Sequence, residues 1–225
     1  MDSFCPLHVD LKDRQCLVLG GGTVAERKVQ VMLSYRAGVT VVSPDLSPGL
    51  YSLLKAGKIA YIADSYRPAY LKDKFIVICA TDDLAINRAA AAECRNRGIL
   101  VNTVSEPENC SFFLPALLKK GLLTMAVSTA GSSPALARRV RDELGALLEP
   151  EYEAYTLYLQ RVRSRVLARV KDSHQRKALL KYLAGAEFFF VFKALSPEEI
   201  ERITEQLIMS HETDISDNAA EERTT

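Results

Sequence analysis

No apolar run in the 225-residue chain approaches the length of a membrane-spanning helix, and the opening MDSFCPLHVD has neither a basic n-region nor an apolar h-region. No anchor or secretory leader is expected. The five cysteines, Cys5, Cys16, Cys79, Cys94 and Cys110, are odd in number and include no C-x-x-C pair. Two of them sit inside strand-like runs, QCLVLG and FIVICA, which suits buried thiols in a reducing compartment, so a cytoplasmic location is expected. The three histidines, His8, His174 and His211, lie far apart, so no metal-ligand spacing can be read and no resident metal site is expected. A net charge of +1 gives no argument for nucleic acid or an anionic membrane as partner. No internal repeat is present.

What remains is ordinary globular composition: 48% hydrophobic and 25% charged residues, which excludes wholesale disorder, a collagen-like rod and a disulfide-dense miniprotein. The length predicts one to two domains. Charge is unevenly placed. Residues 1–129 carry 15 basic and 12 acidic side chains, residues 130–185 carry 11 and 6, and residues 186–225 carry 3 and 10. The basic stretch is central and the acidic one terminal.

The first hundred residues alternate β-branched runs with helical patterns, the signature of βαβ units around a parallel sheet. Strands are predicted at Gln15–Gly20, Val39–Ser43, Ile59–Ala63, Phe75–Ala80 and Ile99–Val104, with helices near Val24–Arg36, Pro48–Ala56 and Ala85–Arg97. Gly98 stands where a helix C′ glycine is expected. After Pro107 the pattern changes to two strand-like segments about Lys119–Gly121, then a helix with Pro134 in its first turn, capped by Ser132 or Ser133. From Glu151 apolar residues recur at helical spacing (Tyr152, Tyr155, Leu159, Val162, Val166, Val170), and again through Leu179–Phe192 and Pro197–Met209. The fold class expected is α/β: a Rossmann-like, doubly wound parallel sheet over 1–111, a small α/β module over 112–150 and a helical domain over 151–210. Residues 211–225 read as a disordered acidic tail.

Between the first strand and first helix, Gly20–Gly21–Gly22–Thr23–Val24–Ala25 reads G-x-G-x-x-A. Gly20 allows a tight turn, Gly22 lets a diphosphate approach the backbone, and Ala25 permits close helix–strand packing, while the helix N-terminus offers free N–H groups to the anion. The bland alternative is a glycine turn kept for packing. Asp45, 25 residues beyond Gly20, can accept hydrogen bonds from ribose hydroxyls, and no Arg or Lys occurs between Val39 and Leu54 to welcome a 2′-phosphate. NAD is expected over NADP, unless Asp45 merely starts the turn before Pro48. At the end of the fourth strand, either Thr81 with Asp82 lines the dinucleotide or Asp82 and Asp83 cap the next helix.

The runs VLGGGTVAERK, VTVVSPDL, ICATDD with Asn87, VNTVSEPENCSFFLPALL and MAVSTAGSSPALARRVRDEL, in this order over roughly residues 4–150, resemble the siroheme synthase N-terminal region, or precorrin-2 dehydrogenase, family. The resemblance implies NAD-dependent oxidation of precorrin-2 to sirohydrochlorin in a homodimer, with ferrous iron as a further substrate in some members. It places Gly22, Thr23, Val24, Pro44 and Asp45 at cofactor-contacting positions and makes the segment after Phe112 the dimerisation module.

A tetrapyrrole with acetate and propionate arms needs cationic donors. The central segment offers Arg138, Arg139, Arg141, Arg161, Arg163, Arg165 and Arg169, although arginines at this spacing also describe a solvated helix face. Members of the family carry N-x-x-D after the fifth strand, the aspartate being the candidate acid/base. Here the segment is Asn102–Thr103–Val104–Ser105, then Glu106. A serine hydroxyl is no base near neutral pH unless activated, so Ser105 is expected to position the macrocycle, and iron insertion is expected to suffer more than dehydrogenation. Glu106 is either a displaced substitute or a turn residue before Pro107. Ser128 is either a strand-end serine or the acceptor of a regulatory phosphate. The aromatics Phe188, Phe189, Phe190 and Phe192 either touch a flat macrocycle or are buried in helix packing. The competing reading of the whole chain is a module that senses NAD without catalysis.

Overall fold

Along β1 (Gln15–Leu19) successive side chains serve opposite faces of a sheet, and the computed structural model, which describes residues 4–212, buries both faces. Cys16 and Val18 join one cluster with Ala25, Val29 and Met32 of α1 (Thr23–Ser34) and Leu50 of α2 (Pro48–Lys55). Leu17 and Leu19 join another with Ala90, Ala91 and Cys94 of α3 (Leu84–Asn96). Helices thus cover both faces, so the strand is continuously apolar instead of alternating.

The remaining strands are β2 (Gly38–Val42), β3 (Ala60–Ile62), β4 (Ile76–Cys79) and β5 (Leu100–Thr103). All pairings are parallel, in the order β3-β2-β1-β4-β5. This is the Rossmann-like doubly wound arrangement. Chain order reverses at β1, between β2 and β4, and ligands of such sheets collect there, beyond the carboxyl ends of the strands. Each predicted strand and helix is found, shortened at its ends by one or two residues at most strands. The link from β3 to β4 is unusual in holding only a single 3-10 turn, Pro68–Leu71, in place of a helix.

Beyond Leu114 the chain passes into a second compact unit, formed by Pro115–Val127 and the residues from Ala135 onward, while Ser128–Pro134 belongs to the first. The second unit contains an antiparallel hairpin, β6 (Ala116–Lys120) and β7 (Leu123–Val127), and the helices α4 (Pro134–Leu147), α5 (Tyr152–Arg169), α6 (Ser173–Leu183), α7 (Ala186–Ala194) and α8 (Pro197–Glu212). The Leu122 N–H donates to Thr156 Oγ1 of α5 at 3.0 Å, and at Gly121 a methyl group would stand 2.6 Å from the Glu153 carbonyl oxygen.

Two helical expectations are corrected. The apolar run Leu179–Phe192 is two helices, because the chain turns at Ala184–Gly185, with Gly185 the N-cap of α7. The buried stripe of α5 is Tyr155, Tyr158, Val162 and Val166, with Leu159 only half-buried. Phe188 and Phe189 are buried against it, Phe192 packs 4.9 Å from the Tyr155 ring, and Phe190 is exposed. Phe188, Phe189 and Phe192 are helix packing. Of the predicted tail, His211 and Glu212 belong to α8, and residues 213–225 lie outside the described residues.

Candidate functional site

At the carboxyl edge of the sheet, where β1 lies between β2 and β4, a cleft of about 910 Å³ is bounded by five segments. They are the turn after β1, the loop after β2, the segment after β3, the segment after β4 and the end of β5. Residues singled out from the sequence line all but the third: Gly20, Gly22, Thr23 and Val24; Pro44 and Asp45; Thr81 and Asp82; and Ser105.

The three glycines have different jobs. Gly20 takes φ +111, and a Cβ there would stand 2.3 Å from the Ala80 carbonyl oxygen, so only glycine lets β1 turn against β4. At Gly21 a Cβ would stand 1.8 Å from the Asp45 carbonyl oxygen and 2.6 Å from Ser43 Oγ. Sequence reasoning passed over this residue as a spacer, because its need is set by a loop more than twenty positions away. A Cβ at Gly22 would meet no protein atom within 4 Å. That position faces open cleft.

Gly22 is also the N-cap of α1 and supplies no side chain to its first turn. The other two helices of this unit are capped: Ser47 Oγ accepts from the Leu50 N–H at 3.2 Å, and Asp83 Oδ1 accepts from the Ala85 N–H at 2.8 Å and the Ile86 N–H at 3.1 Å. The N-caps of all three helices line the cleft, and of the three only that of α1 lacks a side-chain acceptor. The first N–H groups of α1 and the positive end of its dipole suit an anion.

Asp83, and not Asp82, therefore caps α3, leaving Asp82 exposed in the cleft. Thr81 Oγ1 lies 2.8 Å from Oδ1 of the fully buried Asn87, whose Nδ2 donates to the Thr81 carbonyl at 2.9 Å, so Thr81 is fixed from below. The loop Ser43–Ser47 is stitched to its surroundings: the Ser47 N–H donates to the Gly21 carbonyl at 2.7 Å, and Tyr61 Oη lies 2.9 Å from the carbonyls of both Ser43 and Pro44. Asp45 and Ser105 are exposed and make no side-chain hydrogen bond among the described residues.

Asp45, Asp64, Asp82 and Asp83 line the cleft, and among the described residues no lysine or arginine does. Asp64 is engaged: Tyr70 Oη donates to it at 2.5 Å, and this bond first, then the Ser65 N–H and Arg67, hold its carboxyl below the ordinary aspartate value. Tyr66, on the same wall, has its hydroxyl buried, and desolvation first and the neighbouring Cys94 next push its pKa up to about 12. It stays a neutral phenol.

Glu106 is not a displaced substitute for the missing aspartate. It is buried, Oε1 accepting from Arg88 Nε at 2.7 Å and Oε2 from Asn109 Nδ2 at 3.1 Å, and it does not line the cleft. The Arg88 hydrogen bond holds its carboxyl below the ordinary glutamate value. The arginine expectation also narrows. Arg165 bonds Glu205 and Glu201, Arg169 bonds Glu205 and Glu212, and Arg139 and Arg141 pair with Glu143 and Asp142. Arg161 and Arg163 are exposed on α5. Ser128 is exposed, with Oγ accepting from the Ala130 N–H at 3.1 Å. Among the described residues no group of three or more His, Cys, Asp or Glu side chains is arranged to hold a metal.

Residues 7–116 match the family model described as "Putative NAD(P)-binding", and residues 120–147 match the one described as "Sirohaem biosynthesis protein central". The two matches lie in the order seen in the siroheme synthase N-terminal, or precorrin-2 dehydrogenase, family, to which the chain is similar. It is 40% identical to the siroheme synthase of Methylobacillus flagellatus over 172 residues, 76% of this chain and 37% of that protein. It is 36% identical to the siroheme synthase of Nitrosospira multiformis over 216 residues, 91% of this chain and 46% of that protein. The chain thus spans less than half the length of these siroheme synthases. A solved structure titled "SirC, precorrin-2 dehydrogenase" superposes with a TM-score of 0.77 at 26% identity, covering 92% of this chain and all of that one. No described helix is long and apolar enough to cross a membrane.

Proposed function

We propose that the protein catalyses the NAD-dependent dehydrogenation of precorrin-2 to sirohydrochlorin, within siroheme biosynthesis. The observation that carries this is the uncapped N-terminus of α1, opening at Gly22 onto a cleft lined by no basic side chain among the described residues, in a chain whose structural similarity to a precorrin-2 dehydrogenase covers 92% of it. A diphosphate is accommodated by main-chain N–H groups there, so the fit does not depend on lysine or arginine. Asp45 accepts from the adenosine ribose hydroxyls and, with the other cleft carboxylates, repels a 2′-phosphate, favouring NAD over NADP. Bound NAD supplies the hydride acceptor. Hydride leaves the reacting carbon of the macrocycle and a proton goes to solvent.

Ser105 stands at the β5 end of the cleft with its hydroxyl uncommitted and no histidine or carboxylate bonded to it. It orients the substrate by hydrogen bonding and is no general base. Iron insertion needs the pyrrole nitrogens deprotonated, and Glu106, the carboxylate next to Ser105 in sequence, is spent on Arg88 and Asn109, which favours dehydrogenation over iron insertion.

The same reading makes the protein a cytoplasmic homodimer. Four of its cysteines are buried and all five are free thiols, and among the described residues β6 and β7 pair only with each other. Light scattering is expected to return twice the 24.9 kDa chain mass, and the monomer mass would contradict it. Catalysis is tested by giving the purified protein precorrin-2 and NAD under anaerobic conditions. Sirohydrochlorin and NADH are expected in equal amounts. Tight NAD binding without turnover would instead leave a sensor of the dinucleotide.

A further inference from the structure

The loop that carries Asp45 is tied to α1 by a carboxylate that never reaches the cleft. Glu26, in the first turn of α1, is half-buried, and its Oε2 accepts from the Ser47 hydroxyl at 2.6 Å. The same oxygen of Ser47 accepts the Leu50 N–H at 3.2 Å, and the Ser47 N–H donates to the Gly21 carbonyl at 2.7 Å. Every hydrogen-bonding group of Ser47 that could turn toward a ligand is therefore engaged. Position 49 is shaped to the same end: a Cβ at Gly49 would stand 2.1 to 2.4 Å from the Glu26 carboxylate, so the α2 backbone lies directly against it.

Ser47 lines the cleft two residues beyond Asp45, on the loop where an extra phosphate on the ribose would fall. A serine hydroxyl free to donate there would welcome that phosphate. Here its proton is committed to a carboxylate, and a charge-assisted bond of this kind is not readily surrendered. We propose that Glu26 is a positioning residue for dinucleotide selection. Through Ser47 it holds the Asp45 loop against the glycine turn and withholds the Ser47 hydroxyl from a 2′-phosphate. The inference rests on the NAD reading above and adds to it the group that enforces the preference.

The test is calorimetric titration of the full-length protein with NAD and with NADP, in the absence of tetrapyrrole. Glu26→Ala is expected to narrow the ratio of NAD to NADP affinity by about tenfold, the size of one charge-assisted hydrogen bond. Glu26→Gln, whose amide oxygen still accepts from Ser47, should keep most of the wild-type ratio. If Glu26→Ala does not fold, Gly49→Ala displaces the carboxylate from the other side, in a helix position where alanine is locally favoured, and should narrow the ratio likewise. A residue with only a structural role would weaken both dinucleotides equally or lower the melting temperature alone; an unchanged ratio in the folded variant overturns the inference. A wild-type protein that binds neither dinucleotide would instead overturn the NAD reading itself.

Discussion

Gly21 and Gly22 are neighbours in sequence with opposite tolerances. A methyl group at Gly21 would collide with the Asp45 backbone at 1.8 Å, and backbone cannot move aside as a side-chain tip can. Gly21→Ala is therefore expected to lower the melting temperature and weaken NAD binding together. Gly22→Ala adds a methyl group that meets nothing within 4 Å, and should melt close to wild type. Gly22→Asp should also fold, yet lose NAD binding, because it puts a negative charge where the diphosphate rests. Thermal melts and calorimetry on the three variants check this; equal behaviour of Gly21→Ala and Gly22→Ala would contradict it. The G-x-G-x-x-A spacing made Gly20, Gly22 and Ala25 legible in the sequence. It could not reveal Gly21, whose constraint comes from a loop brought near only by folding.

Among elements, the end of β5 is held to α3 by the Arg88–Glu106 pair, Glu106 buried and Arg88 largely exposed. Because the pair lowers the folded-state pKa of Glu106, its stabilisation is complete above the unfolded glutamate value of about 4.3 and is lost as pH falls through the lower folded value. Arg88→Ala should consequently shift acid unfolding, followed by circular dichroism, to higher pH. An unchanged acid midpoint would show that the pair does not anchor this corner. Strand and helix positions of the sheet unit were readable because β1 to β5 are short apolar runs bounded by glycine, proline and acids. The break between α6 and α7 was not, since Ala184–Gly185 interrupts an apolar pattern that otherwise continues at helical spacing. The choice between the two readings of Glu106 was not legible for a related reason: its partner lies 18 residues earlier, on a helix face that sequence spacing does not connect to it.

For the whole molecule, composition and net charge excluded classes of partner without naming one; the order of motifs along the chain supplied the family resemblance. The arginine-rich centre was legible as charge but not as chemistry, because Arg165 and Arg169 spend that charge on glutamates of α8 more than thirty residues away. The central claim is that a dinucleotide lies in the cleft with its diphosphate on the bare main chain of the α1 N-terminus. A crystal structure of the protein with NAD tests it most directly. The diphosphate oxygens should lie within hydrogen-bonding distance of N–H groups in the Gly20–Val24 turn, with Asp45 at the adenosine ribose. NAD bound elsewhere, or absent from this cleft at saturating concentration, would contradict the account.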